Sequence, residues 1–124
     1  MSAWLWVAIA AAGALGAPLR YVIDGAVSGR VQKTFPFGTF AVNISGSFVL
    51  GLLTGLVLYH AFPANGRLIF GVGLVGAYTT FSTFTFETAS LIERGETRLA
   101  AWNIAGSVVL GAAAAAAGLT LGAL

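Results

Sequence analysis

Four long apolar stretches, separated by short polar connections, organise the whole sequence. They cover about residues 2–26, 37–61, 68–91 and 99–124. Each contains the roughly 20 apolar residues that a membrane-spanning helix needs. Together they occupy nearly all of the 124 residues, which leaves no room for a soluble domain. The pattern predicts an all-α integral membrane protein whose single domain, residues 1–124, has four transmembrane helices.

Polar residues interrupt the third stretch in the run Gly76-Ala-Tyr-Thr79-Thr80-Phe81-Ser82-Thr83-Phe84. A helix that faces only lipid has no use for these hydroxyls, and β-branched and aromatic residues are poor helix formers. Irregular backbone at membrane depth is tolerated only where it is buried in protein or lines a wet cavity. We therefore predict a break in the third helix and a functional site at this run. Closely spaced glycines before the run should loosen the helix where the site begins.

A polar stripe runs along the second stretch, formed by Thr39, Asn43, Ser47 and Thr54. Their spacing places all four on one face of a helix. This face must meet a partner or water, because lipid offers no hydrogen bonds. Hydrogen bonding between helices explains Ser47 and Thr54 as well as a binding role does. Asn43 is the stronger candidate for binding, since its carboxamide carries two donors and is harder to satisfy with one carbonyl.

Small residues and a second polar pair mark the remaining helix contacts. Gly51 and Gly55 have the GxxxG spacing that allows helices to approach closely. The fourth stretch is rich in alanine and glycine, which also favours close packing. Asn103 and Ser107 share one of its faces and either extend a polar track or bond to a neighbouring helix.

Composition excludes several classes of protein. The chain is 58% hydrophobic and only 8% charged, whereas about a quarter of the residues in soluble domains are charged. It has no cysteine and one histidine, His60, without nearby carboxylates in the sequence, so we expect no enzyme activity. The net charge of +2 comes from scattered residues that form no basic patch, so we expect no nucleic-acid partner. The first stretch lacks the basic leader of a signal peptide.

Lysine and arginine predict the orientation of the spans only weakly. Four of them flank the first and third connections and one lies in the second, which favours cytoplasmic first and third connections; they are Arg30, Lys33, Arg94 and Arg98 against Arg67. Glu93 and Glu96 offset two of the four positive charges.

Three charged residues lie within or at the ends of the spans. Arg20 and Asp24 are four residues apart and can pair on one helix face, or both can anchor the helix at the membrane edge. Glu87 follows Phe84 by about one turn and is either a water-exposed helix-end carboxylate or part of a wet vestibule.

The remaining chemistry is ion handling. Hydroxyls and an amide can replace the water around an ion, and unwound backbone offers carbonyls to a cation or N–H groups to an anion. Phe81 and Phe84 are three residues apart and point the same way on a helix. Their ring edges, the positive end of the quadrupole, can face an anion. Packing in the protein core, the usual role of an aromatic pair at helical spacing, explains the pair more simply on the residues alone.

Three motifs, in order, resemble the small four-helix fluoride channels called Fluc or CrcB proteins. They are Gly16-Ala-Pro-Leu-Arg20-Tyr21, Gly38-Thr39-Phe-Ala-Val-Asn43-Ile-Ser-Gly46 and Gly76-Ala-Tyr-Thr79-Thr80-Phe81-Ser82-Thr83-Phe84. The resemblance covers essentially the whole chain, and the third motif is the most specific.

The resemblance implies an antiparallel, dual-topology homodimer in the bilayer that encloses two fluoride pores. It also implies a broken third helix, in which the carbonyls of Gly76 and Thr79 from both chains hold a central structural sodium ion. The implied pore residues are Asn43, Phe81, Phe84, Ser82, Thr83, Asn103 and Ser107, with Arg20, Thr39 and Glu87 supporting the pore or its vestibule.

The expected function is passive export of fluoride from a microbial cytoplasm across the plasma or inner membrane, which relieves fluoride toxicity. Two alternatives remain: a proton-coupled exporter that uses Glu87 as its carrier, and a structural membrane subunit whose polar stripes only join helices. The four-to-one bias in Lys and Arg fits dual insertion poorly. Either acidic neighbours offset it, or the chain inserts one way and pairs with an oppositely oriented relative.

Overall fold

The computed structural model describes residues 1–31 and 34–124, so the expectation for Lys33 lies outside the described residues. Within these two ranges the fold consists of six α-helices and one π-helical segment. In order they are α1 (Ala3–Arg30), α2 (Phe37–Tyr59), α3 (Ala64–Arg67), a π-helix (Leu68–Val75), α4 (Gly76–Tyr78), α5 (Ser82–Glu93) and α6 (Thr97–Ala123). The described ranges contain no β-strand.

Four helical spans are long and apolar enough to cross a membrane, which confirms the predicted architecture. They are Ala3–Arg30, Phe37–Tyr59, Ala64–Glu93 and Thr97–Ala123. The first helix continues beyond residue 26 to Arg30, and the third begins at Ala64 rather than near residue 68. Hydropathy locates the apolar part of each helix, whereas backbone hydrogen bonding carries the helix on into its polar ends.

Glycines allow α2 and α6 to pack closely along their length. A Cβ at Gly51 would collide with the carbonyl oxygen of Ala115, and one at Gly118 would collide with that of Phe48. Gly55 lies in the same way against Gly122. The predicted GxxxG contact therefore exists, and its partner is the fourth span, which runs parallel to α2.

The first half of the third span packs against α1. A Cβ at Gly73 would lie only 2.7 Å from the carbonyl oxygen of Ile9. Gly71 and Gly73 both belong to the π-helix, a wider form that often occurs at functional sites. The loosening predicted before the site is thus a continuous π-helical segment.

Successive spans alternate in direction, so the protomer has two distinct ends. We call one the vestibule end: it holds the C-terminal parts of α1 and α5 and the beginnings of α2 and α6. The other, the Arg67 end, holds the end of α2, helix α3 and the end of α6. The break in the third span lies between the two ends.

Candidate functional site

The helix break is shorter than the run that predicts it. Thr79 is extended, with φ −78° and ψ 160°, and Phe81 is already helical before α5 starts at Ser82. Thr83 and Phe84, the last residues of the run that predicts the break, therefore lie in regular helix. In the first turn of α5 the hydroxyl of Thr85 shares its hydrogen between the carbonyls of Phe81 and Ser82.

The side chain of Asn43 holds the broken backbone. Its Nδ2 donates to the carbonyl oxygen of Thr80 at 2.8 Å, and the N–H of Thr80 donates to its Oδ1 at 2.8 Å. This two-point bond joins α2 to the third span at the residue that follows the extended Thr79. One N–H of the Asn43 carboxamide remains beyond the bond to Thr80.

The same contacts free two backbone carbonyls at the break. In a continuous helix the N–H of Thr80 would donate to Gly76 and that of Thr83 to Thr79. The first instead donates to Asn43, and the second to the hydroxyl of Thr80 at 3.1 Å. The two freed acceptors are the carbonyls that the resemblance assigns to a sodium ion, so the donor chemistry at the break fits a hard cation.

Two helix ends of opposite polarity meet at the break. Helix α4 ends at Tyr78, leaving partly negative carbonyls, and the twelve-residue α5 begins at Ser82 with partly positive N–H groups. One short interruption therefore offers a negative end to a cation and a positive end to an anion.

An open cavity of about 310 Å³ lies at the break. Its lining includes residues from the stripe, from the freed turn and from the aromatic pair, namely Asn43, Ser47, Gly76, Thr79 and Phe81. Phe81 is 76% exposed in the protomer, and the centroid of its ring lies 5.8 Å from that of Phe84. The two rings are neighbours, as their spacing predicts.

A second cavity of about 230 Å³ lies beside Arg20 and reaches Thr39 and Thr83. Asp24 also lines it, but its carboxylate accepts a hydrogen bond from Ser28 at 3.1 Å. In the described part of the chain no ion pair joins Arg20 to Asp24, so the i,i+4 pairing that we considered does not form. Asp24 also lies against Gly38 in the first turn of α2, where the partial positive charge of a helix start favours a carboxylate.

A third cavity, of about 590 Å³, opens at the vestibule end and is lined by Glu87, Ser28, Ser90 and Arg94 among others. The hydroxyl of Thr39, only 4% exposed, donates to Glu87 Oε1. Thr39 also lines the cavity beside Arg20, so this hydrogen bond lies where the two cavities adjoin. Glu87 therefore occupies a polar vestibule.

The polar pair of α6 is divided between two environments. Asn103 is 2% exposed and donates to the hydroxyl of Thr88 at 2.9 Å, which in turn donates to the carbonyl of Phe84 at 2.7 Å. This is the interhelical bonding that the sequence left open for Asn103. The hydroxyl oxygen of Ser107 is buried without a hydrogen-bond partner in the described residues. A buried polar group normally has a partner, so Ser107 remains a candidate for contact with a ligand.

Several contacts were not expected from the sequence. Thr80 is the partner of Asn43, yet we had assigned it no role within the run. Thr88 and Ser45 were also missed, and Ser45 lies 2.9 Å from the hydroxyl of Tyr78. Thr80 belongs to the most unusual part of the sequence and could have been singled out, whereas nothing local distinguishes Thr88 or Ser45.

Comparison with known proteins gives a consistent result. The family model described as CrcB-like protein, Camphor Resistance (CrcB), matches residues 7–119. A relative named fluoride-specific ion channel FluC 2, from Mycolicibacterium paratuberculosis, is 48% identical over 94% of this chain and 93% of its own length. Proteins named fluoride-specific ion channel FluC 1 from Leifsonia xyli and Symbiobacterium thermophilum are each 46% identical. They align over 95% and 94% of this chain, and over 86% and 96% of their own lengths.

Proposed function

Because the chain belongs to the CrcB-like family, we propose that it is a fluoride channel that lets fluoride leave the cytoplasm down its electrochemical gradient. Relatives named fluoride-specific ion channels match it along nearly their whole length, so the proposal concerns the entire protein. The four spans make it a multi-pass membrane protein, and we place it in the plasma or inner membrane. Its role is permeation that limits fluoride toxicity, with no catalytic step.

The observation that carries the proposal is the helix break held by Asn43. Fluoride is small and strongly hydrated, so its loss of water must be offset by donors along the path. At the break, the start of α5 offers partly positive N–H groups and Asn43 offers its remaining N–H beside the same cavity. These groups are already oriented by the fold and need no rearrangement when an anion arrives.

The aromatic pair and neighbouring hydroxyls complete the proposed path. Phe81 and Phe84 present ring edges to the anion, and Ser82 and Thr83 lie directly between them in the sequence. Ser107 contributes its unpartnered hydroxyl. Asn103 supports the path through Thr88 and the carbonyl of Phe84.

Fluoride enters this path from the vestibule. Arg20 attracts the anion from its cavity, while Thr39 holds the Glu87 carboxylate by a hydrogen bond. Thr39 has one hydroxyl hydrogen, so the bond to Glu87 also fixes the direction in which that hydrogen points. We place these three residues at the entrance rather than in the narrow part of the pore.

The proposed channel is an antiparallel homodimer. The uncovered ring of Phe81 and the freed carbonyls of Gly76 and Thr79 would meet their equivalents in a second copy across a two-fold axis. Two carbonyls from each chain would hold a structural sodium ion with four oxygen donors, a suitable set for this cation. When bound, sodium supplies a positive charge at the centre of the dimer.

Reconstitution in liposomes tests the function. We expect purified protein in potassium fluoride-loaded liposomes to release fluoride rapidly after valinomycin is added, and a fluoride electrode follows the release. Chloride-loaded liposomes serve as the selectivity control. Release no faster than from protein-free liposomes, or chloride release at the rate of fluoride, would contradict the proposal.

A further inference from the structure

The cavity at the helix break does not end there but adjoins a second cavity that extends towards the Arg67 end. The second has a volume of about 330 Å³, and its lining includes Thr54 and Arg67. Ser47 and Leu50 line both cavities. A groove therefore follows one face of α2 from Asn43 to Arg67.

The half-buried Arg67 lies at the far end of this groove. Its Nε lies 3.4 Å from the hydroxyl oxygen of Thr54, which gives its own hydrogen to the carbonyl of Leu50 at 2.8 Å. The hydroxyl therefore accepts from Arg67. Since a guanidinium carries five N–H donors, four remain beyond this bond.

The charge of Arg67 has no acidic partner. All four acidic side chains of the sequence lie in the described ranges, and none of them forms an ion pair with it. They belong to α1, α5 and the connection after α5, at the vestibule end. A half-buried cation without a counter-ion attracts anions from the surrounding water.

Arg67 also lies far from the proposed vestibule. Thr54 and Thr39 are fifteen positions apart on α2, which corresponds to about 22 Å along the helix axis. The groove therefore leads from the helix break to the opposite end of the protomer. No other lysine or arginine belongs to the connection at that end.

We propose that Arg67 and Thr54 form a second anion-binding mouth, through which fluoride enters or leaves the groove at the end opposite Glu87. The proposal rests on the proposed function. Guanidinium suits the task because it is weakly hydrated and spreads its charge over a plane, so it attracts the ion without holding it as tightly as a compact ammonium. In an antiparallel dimer each membrane face presents the Arg67 mouth of one copy and the vestibule of the other.

The simplest other role for Arg67 is to anchor the helix in the interface by snorkelling. The dependence of flux on ionic strength separates the two roles. The Debye length is about 30 Å at 0.01 M and about 3 Å at 1 M, so salt screens an attraction that acts on ions in the water. A purely structural role gives a loss of flux that does not depend on salt.

The experiment compares initial fluoride efflux from wild type, Arg67→Gln and Arg67→Lys at one fixed fluoride concentration, with an impermeant salt setting the ionic strength. We expect Arg67→Gln to lower efflux about tenfold at low ionic strength, within the range of electrostatic focusing, and much less at about 1 M. Arg67→Lys keeps the charge and most of the efflux. Arg98→Gln, which removes an exposed arginine at the start of α6, serves as the matched control and retains wild-type efflux.

Each outcome has a definite meaning. If Arg67→Gln shows wild-type efflux at low salt, Arg67 does not form an anion-binding mouth, although the channel function stands. An equal loss of efflux at both ionic strengths also refutes the mouth. Loss of efflux in Arg67→Lys to the level of Arg67→Gln overturns the electrostatic basis. Absence of fluoride efflux from wild type refutes the proposed function itself. Thr54→Val gives a further check. Because the guanidinium of Arg67 remains in this variant, we expect its fluoride efflux to depend on salt as that of wild type does, and loss of this dependence would contradict the electrostatic role of Arg67.

Discussion

Asn43 and Phe81 line the same cavity, but the fold fixes the side chain of Asn43 and leaves that of Phe81 largely uncovered. Asn43 is fixed by two hydrogen bonds to the backbone of Thr80, whereas the ring of Phe81 is largely uncovered in the protomer. A carboxamide of this kind keeps its remaining N–H in a fixed direction. An exposed aromatic ring beside it needs a second surface, which the proposed dimer would provide.

At the scale of the residue, Phe81→Ile tests the ring edge. We expect fluoride efflux to fall about tenfold if the ring edge favours the anion by about 1.4 kcal/mol, the size of an edge contact between two aromatic rings. The dimer should remain intact by size-exclusion chromatography, because isoleucine keeps much of the apolar surface that Phe81 exposes in the protomer. Phe70→Ile, a partly exposed position earlier in the third span, is the control. Efflux that matches wild type in Phe81→Ile would remove this ring from the mechanism.

The break in the third helix depends on two elements, the third span itself and α2. Its hydroxyl-rich sequence weakens the helix, but Ser82 and the residues after it are helical nonetheless. The interruption stays at Thr79 and Thr80 because the Asn43 side chain from α2 takes the backbone groups of Thr80 that would otherwise continue the helix. Local propensity and a contact between helices therefore act together.

At this scale we predict that Asn43→Leu restores the bond from Thr80 to Gly76 and removes an acceptor from the proposed cation site. Since the N–H of Thr80 regains a partner while its carbonyl oxygen loses one, stability should fall by about 1 kcal/mol. The purified dimer should also lose its stabilisation by sodium, measured as the difference in melting temperature between sodium and N-methylglucamine buffers.

Asn103→Leu is the matched control, because it too removes a carboxamide that bonds between helices. It should lower stability while keeping the sodium effect, since its partner Thr88 lies beyond the break. Equal sodium stabilisation in Asn43→Leu and wild type would show that Asn43 does not prepare the cation site.

The whole molecule has charge concentrated at one end and its freed carbonyls in the middle. Arg30, Arg94 and Arg98 lie at the vestibule end, together with Glu93 and Glu96, which offset two of the positive charges. Insertion in both orientations requires a small bias between the ends, so the proposed homodimer depends on these acidic neighbours offsetting the four-to-one excess of Lys and Arg. Antiparallel pairing would then give both membrane faces the same set of entrances.

Single-cysteine labelling tests this arrangement directly, since the natural chain has no cysteine. We expect Thr97→Cys, at the vestibule end, to react with a membrane-impermeant maleimide in about half of the molecules from either side of the membrane, as random dual insertion requires. Asn65→Cys, at the Arg67 end, should give the same fractions. Labelling of Thr97→Cys from one side only, with Asn65→Cys labelled only from the other, would refute the homodimer in favour of a single orientation.

The sequence by itself determined the four spans, the break in the third and the polar face of α2. These features are local, because each follows from how a short segment of backbone and side chains meets lipid or protein. The sequence also singled out Asn43, since a carboxamide inside an apolar helix needs partners. The ends of the helices were less predictable, because hydrogen bonding continues beyond the apolar part of each span.

Only the tertiary structure decided which partners these residues have. Asn43 and Thr80 are 37 positions apart, and Thr39 and Glu87 are 48 apart, so no local pattern pairs them. These contacts depend on the relative height and rotation of the packed, glycine-lined helices, and packing across the whole protomer determines both. The same packing left Arg67 beside Thr54 rather than beside a carboxylate. Side-chain chemistry was therefore readable from the sequence, whereas the distances that turn it into a path for an ion came from the fold.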